Sequence, residues 1–130
     1  MTASNLARIL LVEDDPDIQL VTSMTLSSLG GFEVKVCGSA DEALRTAVAF
    51  GPDLILLDVM LPGMDGPTAL KAMRGYPELA ATPVIFMTAK IQAQELARYR
   101  RLGSLGVIAK PFDPVTLPQR VRELWKEKHG

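Results

Sequence analysis

Short apolar runs alternate five times along the chain with longer segments whose apolar residues have helical spacing. The runs are residues 9–12, 32–36, 53–57, 83–87 and 106–109. Several of them are continuously apolar, which is typical of strands buried on both faces of a sheet. Strands that alternate with helices form a parallel sheet, because each crossover is right-handed and covers one face with a helix. The pattern therefore predicts an α/β fold with a doubly wound, five-stranded parallel sheet and helices on both faces.

Helix start signals fall between these runs. In chain order they are Asp15-Pro16, the capping box Ser39 with Glu42, Pro67, a start near residue 91, and Asp113-Pro114. Gly103 is predicted to end the fourth helix. Pro118 removes a hydrogen bond early in the fifth helix. We therefore expect that helix either to start late or to bend at its first turn.

Length and charge exclude several classes of protein. The 130 residues suit one domain, expected to span 1–130 with its core in about 8–125. A net charge of −1 leaves no basic footprint for nucleic acid and no polybasic cluster for a membrane surface. A single cysteine, Cys37, excludes an intramolecular disulfide framework and is compatible with a reducing compartment. We expect a cytoplasmic domain without nucleic acid or membrane as partner.

Polar and charged residues follow four of the five apolar runs. Glu13 and Asp14 come after the first run, Asp58 after the third, Thr88 after the fourth and Lys110 after the fifth. Because ligands of such sheets bind at the carboxyl ends of the strands, these side chains are expected to meet at one edge. An acid in this position often caps the next helix, and we assign that role to Asp15.

The residue types at this edge point to phosphoryl chemistry. Glu13, Asp14 and Asp58 carry too much negative charge to lie together without a cation, and so few carboxylates suit Mg²⁺. Lys110 supplies a second cation. An ionised Asp58 beside both can attack a phosphorus atom, while Lys110 stabilises the transferring oxygens and Thr88 donates its hydroxyl.

Four motifs in order carry a resemblance to a known family. They are ILLVEDDP at 9–16, DLILLDVMLPGMDG at 53–66, PVIFMTA at 83–89 and KPF at 110–112. With these motifs the chain resembles the chemotaxis-regulator-like receiver domain of two-component response regulators over residues 8–125. The resemblance implies the flavodoxin-like strand order 2-1-3-4-5. It also implies that a histidine kinase or a histidine phosphotransfer protein donates a phosphoryl group to Asp58, as part of signal transduction.

The resemblance also implies roles for the individual residues of the site. Asp14 becomes a direct Mg²⁺ ligand beside Asp58, Glu13 acts through water, and Met60 offers its backbone carbonyl. Thr88 becomes the switch hydroxyl and Lys110 the lysine that binds the phosphoryl group.

Two neighbouring positions complete this set of expectations. Ala89 is small enough to leave room for the phosphoryl group, and the Lys110–Pro111 bond is expected to be cis.

One position departs from the family pattern. Val107 stands three residues before Lys110, where the family usually has an aromatic residue whose rotation reports movement of the threonine. Switching with a valine at this position is therefore not explained, although residues 103–106 offer a backbone hinge. Signalling is still expected through the face of the fourth helix, fifth strand and fifth helix. Exposed arginines are candidates for choosing the partner there: Arg98, Arg100, Arg101, Arg120 and Arg122.

Two other functions remain open on the residues alone. One is a binding module that works without phosphorylation, although such a module has no need of a complete acidic site. The other is an Mg²⁺-dependent phosphohydrolase with an aspartyl-phosphate intermediate, but Met60 occupies the place of its second acid. The leading hypothesis is a stand-alone receiver that gains and loses its own phosphoryl group rather than turning over substrates. Receivers of this kind often form homodimers.

Overall fold

Five strands form one parallel sheet in the computed structural model, which describes residues 5–89 and 92–129, apart from the side chains of 128 and 129. The strands are β1 (Arg8–Val12), β2 (Glu33–Cys37), β3 (Leu54–Asp58), β4 (Val84–Thr88) and β5 (Ser104–Ala109). Their order is β2-β1-β3-β4-β5, and every neighbouring pair is parallel. The predicted fold class and strand order are confirmed.

Three strands extend beyond the predicted apolar runs, β3 and β4 at their carboxyl ends and β5 at its amino end. β3 and β4 each continue one residue further than predicted, because Asp58 pairs with Met87 and Thr88 pairs with Ala109 in the ladders. A polar residue ends an apolar run in the sequence, but its backbone can still pair in the sheet. β5 begins at Ser104, two residues before the predicted start. Of the proposed hinge at 103–106, only Gly103 therefore lies outside a strand.

Five α-helices cover the two faces of the sheet. They are α1 (Pro16–Met24), α2 (Ala40–Phe50), α3 (Gly66–Arg74), α4 (Ala93–Arg101) and α5 (Leu117–His129). α2, α3 and α4 pack on one face, around Leu10, Ile55 and Phe86. α5 packs on the other face together with Leu26, which lies in the π-helical turn Thr25–Leu29 that continues α1. Among the helices of the described part of the chain, none has the length and apolar character needed to span a membrane.

Local capping explains where the helices begin. Asp15 accepts hydrogen bonds from the N–H groups of Asp17 and Ile18, so its predicted capping role is confirmed. Ser39 caps α2 through the N–H of Glu42, as predicted. In a complete capping box the Glu42 carboxylate would accept from the N–H of Ser39, but here it accepts from the N–H of Gly38.

Of the last three helices, α3 starts one residue earlier than predicted, and α5 starts late, which is one of the two arrangements expected for it. α3 begins at Gly66, one residue before Pro67, with Asp65 as its cap. α4 begins at Ala93, and the predicted start at residue 91 lies outside the described residues. α5 begins late, at Leu117, so Pro118 is its second residue. A proline costs little there, since the first N–H groups of a helix have no acceptor within the helix.

Candidate functional site

The backbone of the sheet fixes the residues at the carboxyl edge. The N–H of Glu13 donates to the carbonyl of Cys37 at 3.0 Å, and the N–H of Lys110 donates to the carbonyl of Thr88 at 2.9 Å. Asp58 and Thr88 are themselves the last residues of β3 and β4. The side chains thus project from paired backbone, which gives the site a rigid base.

Three acids form one cluster at this edge. Carboxylate oxygens of Glu13, Asp14 and Asp58 lie within 4.8 Å of one another. Glu13 is only 1% exposed and Asp58 only 2%, whereas Asp14 is exposed. The cluster therefore has two acids inside the protein and one at the solvent side, and oxygen ligands of this kind suit a hard divalent cation.

Lys110 is the cation that the sheet brings to this cluster. Its Nζ lies 2.6 Å from Oε1 of Glu13 and 3.2 Å from Oδ2 of Asp58, although 97 residues separate Glu13 from Lys110. Burial lowers the pKa of the Lys110 ammonium, but the hydrogen bond that Lys110 donates to Glu13 and the charge of Asp58 outweigh burial and raise that pKa overall. Lys110 therefore stays protonated, and one positive charge faces three acids.

Both carboxylate oxygens of Glu13 have partners. Oε1 accepts from Lys110, and Oε2 accepts from the N–H of Asp15 at 3.0 Å. Burial raises the pKa of Glu13 above its ordinary value, against the opposing effect of these two hydrogen bonds. The side-chain amide of Gln19 donates to the Glu13 carbonyl at 2.5 Å. Gln19 was missed by the sequence analysis, and its position one turn after the cap Asp15 is the signal that could have found it.

The backbone after β3 holds Asp58 on its other side. The N–H of Met60 donates to Oδ1 of Asp58 at 3.2 Å, while the Met60 side chain is exposed. Gly66, the first residue of α3, lies directly behind Asp58. A Cβ at Gly66 would stand 2.6 Å from the carbonyl oxygen of Asp58 and 2.9 Å from the Cα of Val59. The sequence analysis also missed Gly66, and only the fold reveals this close approach.

Thr88 connects the acid cluster with a cavity. Its side chain is 1% exposed and lines a cavity of about 200 Å³ together with Met60, Gln92, Glu95 and Tyr99, among others. Ala89 follows Thr88 at the surface, and the Lys110–Pro111 bond is cis, as the resemblance implies. The structure thus brings Glu13, Asp14, Asp58, Met60, Thr88 and Lys110 to the same edge.

A family profile, the response regulator receiver domain, matches residues 9–122 of the chain. The chain belongs to the response regulator receiver domain family. Its solved neighbours include the chemotaxis protein CheY4 of Vibrio cholerae, with 30% identity, a TM-score of 0.85, and coverage of 92% of this chain and 98% of that one. Another is the receiver domain of the sensor histidine kinase PA1611 of Pseudomonas aeruginosa, solved with magnesium in its active-site cleft. That receiver is 33% identical, with a TM-score of 0.79 and coverage of 92% and 97%.

Curated relatives of this receiver domain are longer proteins. The regulatory protein AtoC of Escherichia coli is 38% identical over 113 residues, which are 87% of this chain and 23% of AtoC. The DNA-binding response regulator MtrA of Mycolicibacterium smegmatis is 35% identical over 115 residues, 88% of this chain and 49% of MtrA. The chain thus spans half or less of these relatives, and its similarity to them lies in the receiver domain of two-component signalling.

One of the five exposed arginines, Arg122, also makes contacts within the domain. The Arg122 guanidinium lies 4.5 Å from the centre of the Phe32 ring and donates to the carbonyl of Gly30. Arg122 therefore ties α5 to the end of the π-helical turn, and its head group is engaged within the domain. Arg98, Arg100, Arg101 and Arg120 are exposed on α4 and α5, as expected.

Proposed function

We propose that this receiver domain accepts a phosphoryl group on Asp58 from a phosphohistidine of a histidine kinase or a histidine phosphotransfer protein. The observation that carries the proposal is the surroundings of Asp58, a buried carboxylate at the end of β3. Lys110 lies 3.2 Å from one of its oxygens, and the N–H of Met60 binds the other. A carboxylate that serves only to cap a helix or stabilise a surface has no need of this burial and of a partly buried ammonium beside it.

The proposed step is an in-line displacement. A carboxylate oxygen of Asp58 attacks the phosphorus, a P–O bond forms, and the P–N bond of the phosphohistidine breaks with its electron pair passing to the imidazole nitrogen. Lys110 is close enough to Asp58 to bind an oxygen of the transferred group. The Thr88 hydroxyl, at the end of the neighbouring strand, donates a hydrogen bond to another. Fixed donors of this kind stabilise the charge of the transition state.

The donor set fits Mg²⁺. Three carboxylates within 4.8 Å of one another face a single ammonium, which leaves an excess of negative charge for a divalent cation. We propose Asp14, which lies on the solvent side of the cluster, and Asp58 as the direct ligands, with Glu13 acting through water as the family resemblance implies. The Met60 carbonyl is the further ligand that the family implies. When bound, the ion neutralises charge on the acids and on the phosphoryl oxygens.

The output that we propose is a protein contact through the face of α4, β5 and α5. A cavity of about 310 Å³ on this face is lined by Arg100, Arg120, Val107 and their neighbours. The exposed arginines at its rim suit an acidic partner, and a second copy of the domain is another candidate partner. We further propose that residues 1–130 act as one receiver unit in the cytoplasm, where the single thiol Cys37 stays reduced.

The test is labelling with acetyl phosphate and with phosphorylated histidine kinases in the presence of Mg²⁺. Wild type should form an acid-stable, hydroxylamine-sensitive phosphoprotein, and Asp58→Asn should lose the label. Asp53→Asn is the matched control, since Asp53 lies just before the same strand at the opposite edge. Equal labelling of Asp58→Asn would overturn the proposal. Fast release of phosphate from small esters would instead favour the phosphohydrolase, and partner binding that ignores Mg²⁺ and acetyl phosphate would favour the plain binding module.

A further inference from the structure

A buried tyrosine on α4 lies beside the strand that carries Thr88. Tyr99 is 2% exposed, and its ring packs on the ring of Phe86 with 4.8 Å between centroids and 45° between planes. Phe86 and Thr88 are two residues apart on β4, so both side chains point to the same face of the sheet. Tyr99 thus lies on the side of the sheet toward which Thr88 points.

The Tyr99 hydroxyl makes a hydrogen bond to a partly exposed side chain on its own helix. It donates to Oε2 of Glu95, one turn earlier on α4, at 3.0 Å. Tyr99 is also one of the residues that line the cavity of about 200 Å³, together with Thr88, Met60 and Gln92. The ring is therefore packed on Phe86, and Tyr99 and Thr88 line the same cavity.

The small side chain of Val107 leaves room for the ring of Tyr99, from α4, to pack on Phe86. Val107 is the ladder partner of Phe86 on β5 and packs against the same hydrophobic cluster as Tyr99. Its side chain is short, and it cannot carry a polar group between a buried and an exposed position. Tyr99 is the aromatic side chain that contacts Phe86 among the described residues.

We propose that Tyr99 is the side chain through which a phosphoryl group on Asp58 changes the position of α4. The proposal rests on phosphorylation of Asp58 as argued above. When the Thr88 hydroxyl turns toward the phosphoryl oxygens, it leaves the cavity wall next to Tyr99. The Tyr99 hydroxyl then leaves Glu95 and moves toward the space that Thr88 has left, and α4 moves with the ring. Two arrangements of one buried side chain thus give two positions of one helix.

The chain has two tyrosines, which makes the experiment direct. The full chain is produced with 3-fluorotyrosine, and ¹⁹F spectra are recorded with Mg²⁺ alone and with Mg²⁺ and beryllium fluoride. Tyr76→Phe and Tyr99→Phe assign the two resonances. Tyr76 is 41% exposed and lies between α3 and the 3₁₀ turn Pro77–Leu79, so it is the internal control. We expect the Tyr99 resonance to shift on beryllofluoride binding and the Tyr76 resonance to keep its position.

The bound beryllofluoride has its own ¹⁹F signal, which separates the two possible failures. A bound signal that depends on Asp58, together with an unmoved Tyr99 resonance, overturns the role of Tyr99 and leaves the proposed function standing. Absence of any bound signal overturns phosphorylation of Asp58 and the Tyr99 switch with it.

A second measurement tests the contact with Glu95. Tyr99→Phe keeps the buried ring and removes only the hydroxyl, so the domain should still fold. Loss of the hydrogen bond to Glu95 should destabilise the position that α4 has in the unphosphorylated domain. The amide resonances of α4 in the free variant should therefore shift toward their positions in beryllofluoride-bound wild type. A free Tyr99→Phe domain whose α4 amides keep wild-type positions, apart from residue 99 and its neighbours, contradicts the proposal.

Discussion

The two edges of the sheet use charged residues in different ways. At the amino edge, the Asp53 carboxylate accepts from the N–H groups of Ala7 and Arg8 at 3.0 and 2.8 Å, and Arg8 pairs with Glu33 at 3.6 Å. The Arg8 and Glu33 side chains are 44% and 64% exposed. At the carboxyl edge, Glu13 and Asp58 are almost completely buried and share one ammonium.

This difference separates acids that serve the fold from the acids that we propose for phosphoryl chemistry. Carboxylates at the amino edge stay in contact with water, while Asp53 accepts from backbone N–H groups and Glu33 pairs with Arg8. Carboxylates at the carboxyl edge lose solvation and exceed the positive charge that the chain provides. Such an arrangement is costly for the fold alone, which supports the proposal that the site binds a cation and a phosphoryl group.

The largest expected effect comes from removing the cation of each edge. Lys110→Met leaves two buried carboxylates without a positive partner, so the free energy of unfolding in metal-free buffer should fall by about 3 kcal/mol. Arg8→Met removes an exposed pair and a contact with the Phe50 ring, and should cost under about 1 kcal/mol. Urea denaturation of both variants measures the difference. Equal losses would mean that the two edges do not differ in this way.

The second effect is stabilisation by Mg²⁺. At a hundredfold excess over its dissociation constant, the ion should stabilise wild type by about 2.7 kcal/mol, because it binds only the folded chain. Asp14→Asn should lose most of this gain, and Asp53→Asn at the amino edge should keep it. Thermal unfolding with and without Mg²⁺ gives the comparison. A gain that survives in Asp14→Asn would argue against Asp14 as a ligand.

A third prediction concerns Asp65, an acid near the carboxyl edge that stabilises the start of α3. It caps α3, and the N–H of Thr68 donates to it at 2.9 Å. Asp65→Ala should cost about 1 kcal/mol at neutral pH. The hydrogen bond from the Thr68 backbone lowers the pKa of Asp65 in the folded chain. The charge therefore stabilises the fold above the pKa of the unfolded chain, and this contribution is lost as pH falls through the folded pKa.

The Asp65→Asn variant isolates the charge, since asparagine is also a good cap. Its difference in unfolding free energy from wild type should shrink as the pH is lowered below about 3.9. Urea titrations at several acidic pH values measure it. A difference that stays constant over this range would show that the charge of Asp65 contributes nothing.

The smallest effect belongs to the exposed pair of the amino edge. Glu33→Gln removes the partner of Arg8 and should change the free energy of unfolding by under about 0.5 kcal/mol, because water already solvates both groups. The effect should decline further with added salt. A loss near that of Lys110→Met would contradict the distinction between the edges.

Much of the fold follows from local signals in the sequence. Apolar runs located all five strands, and Asp15 and Ser39 located two helix starts. The strand order came from the family resemblance, because no single residue encodes which strand lies beside which. The π-helical turn Thr25–Leu29 was not predicted, since its wider hydrogen bonding leaves no periodic signal in five residues.

The sequence predicts those residues of the site that directly follow a strand. Residues that follow parallel strands must meet at one edge, so Glu13, Asp58 and Lys110 could be grouped before any coordinates were known. Contacts that depend on helix position could not be. The packing of Tyr99 on Phe86 and of Arg122 on Phe32 depends on how helices lie on the sheet, which residue types alone do not determine.

The separation of 97 positions between Glu13 and Lys110 in the sequence also sets the order in which they are synthesised. The ribosome makes a chain from its amino terminus, so the three acids of the cluster leave the tunnel well before the lysine that neutralises them. Until β5 joins the sheet, the growing chain has the acids of the cluster but not the Lys110 ammonium that pairs with two of them. The last strand to be synthesised is therefore the one that completes the charge balance of the first.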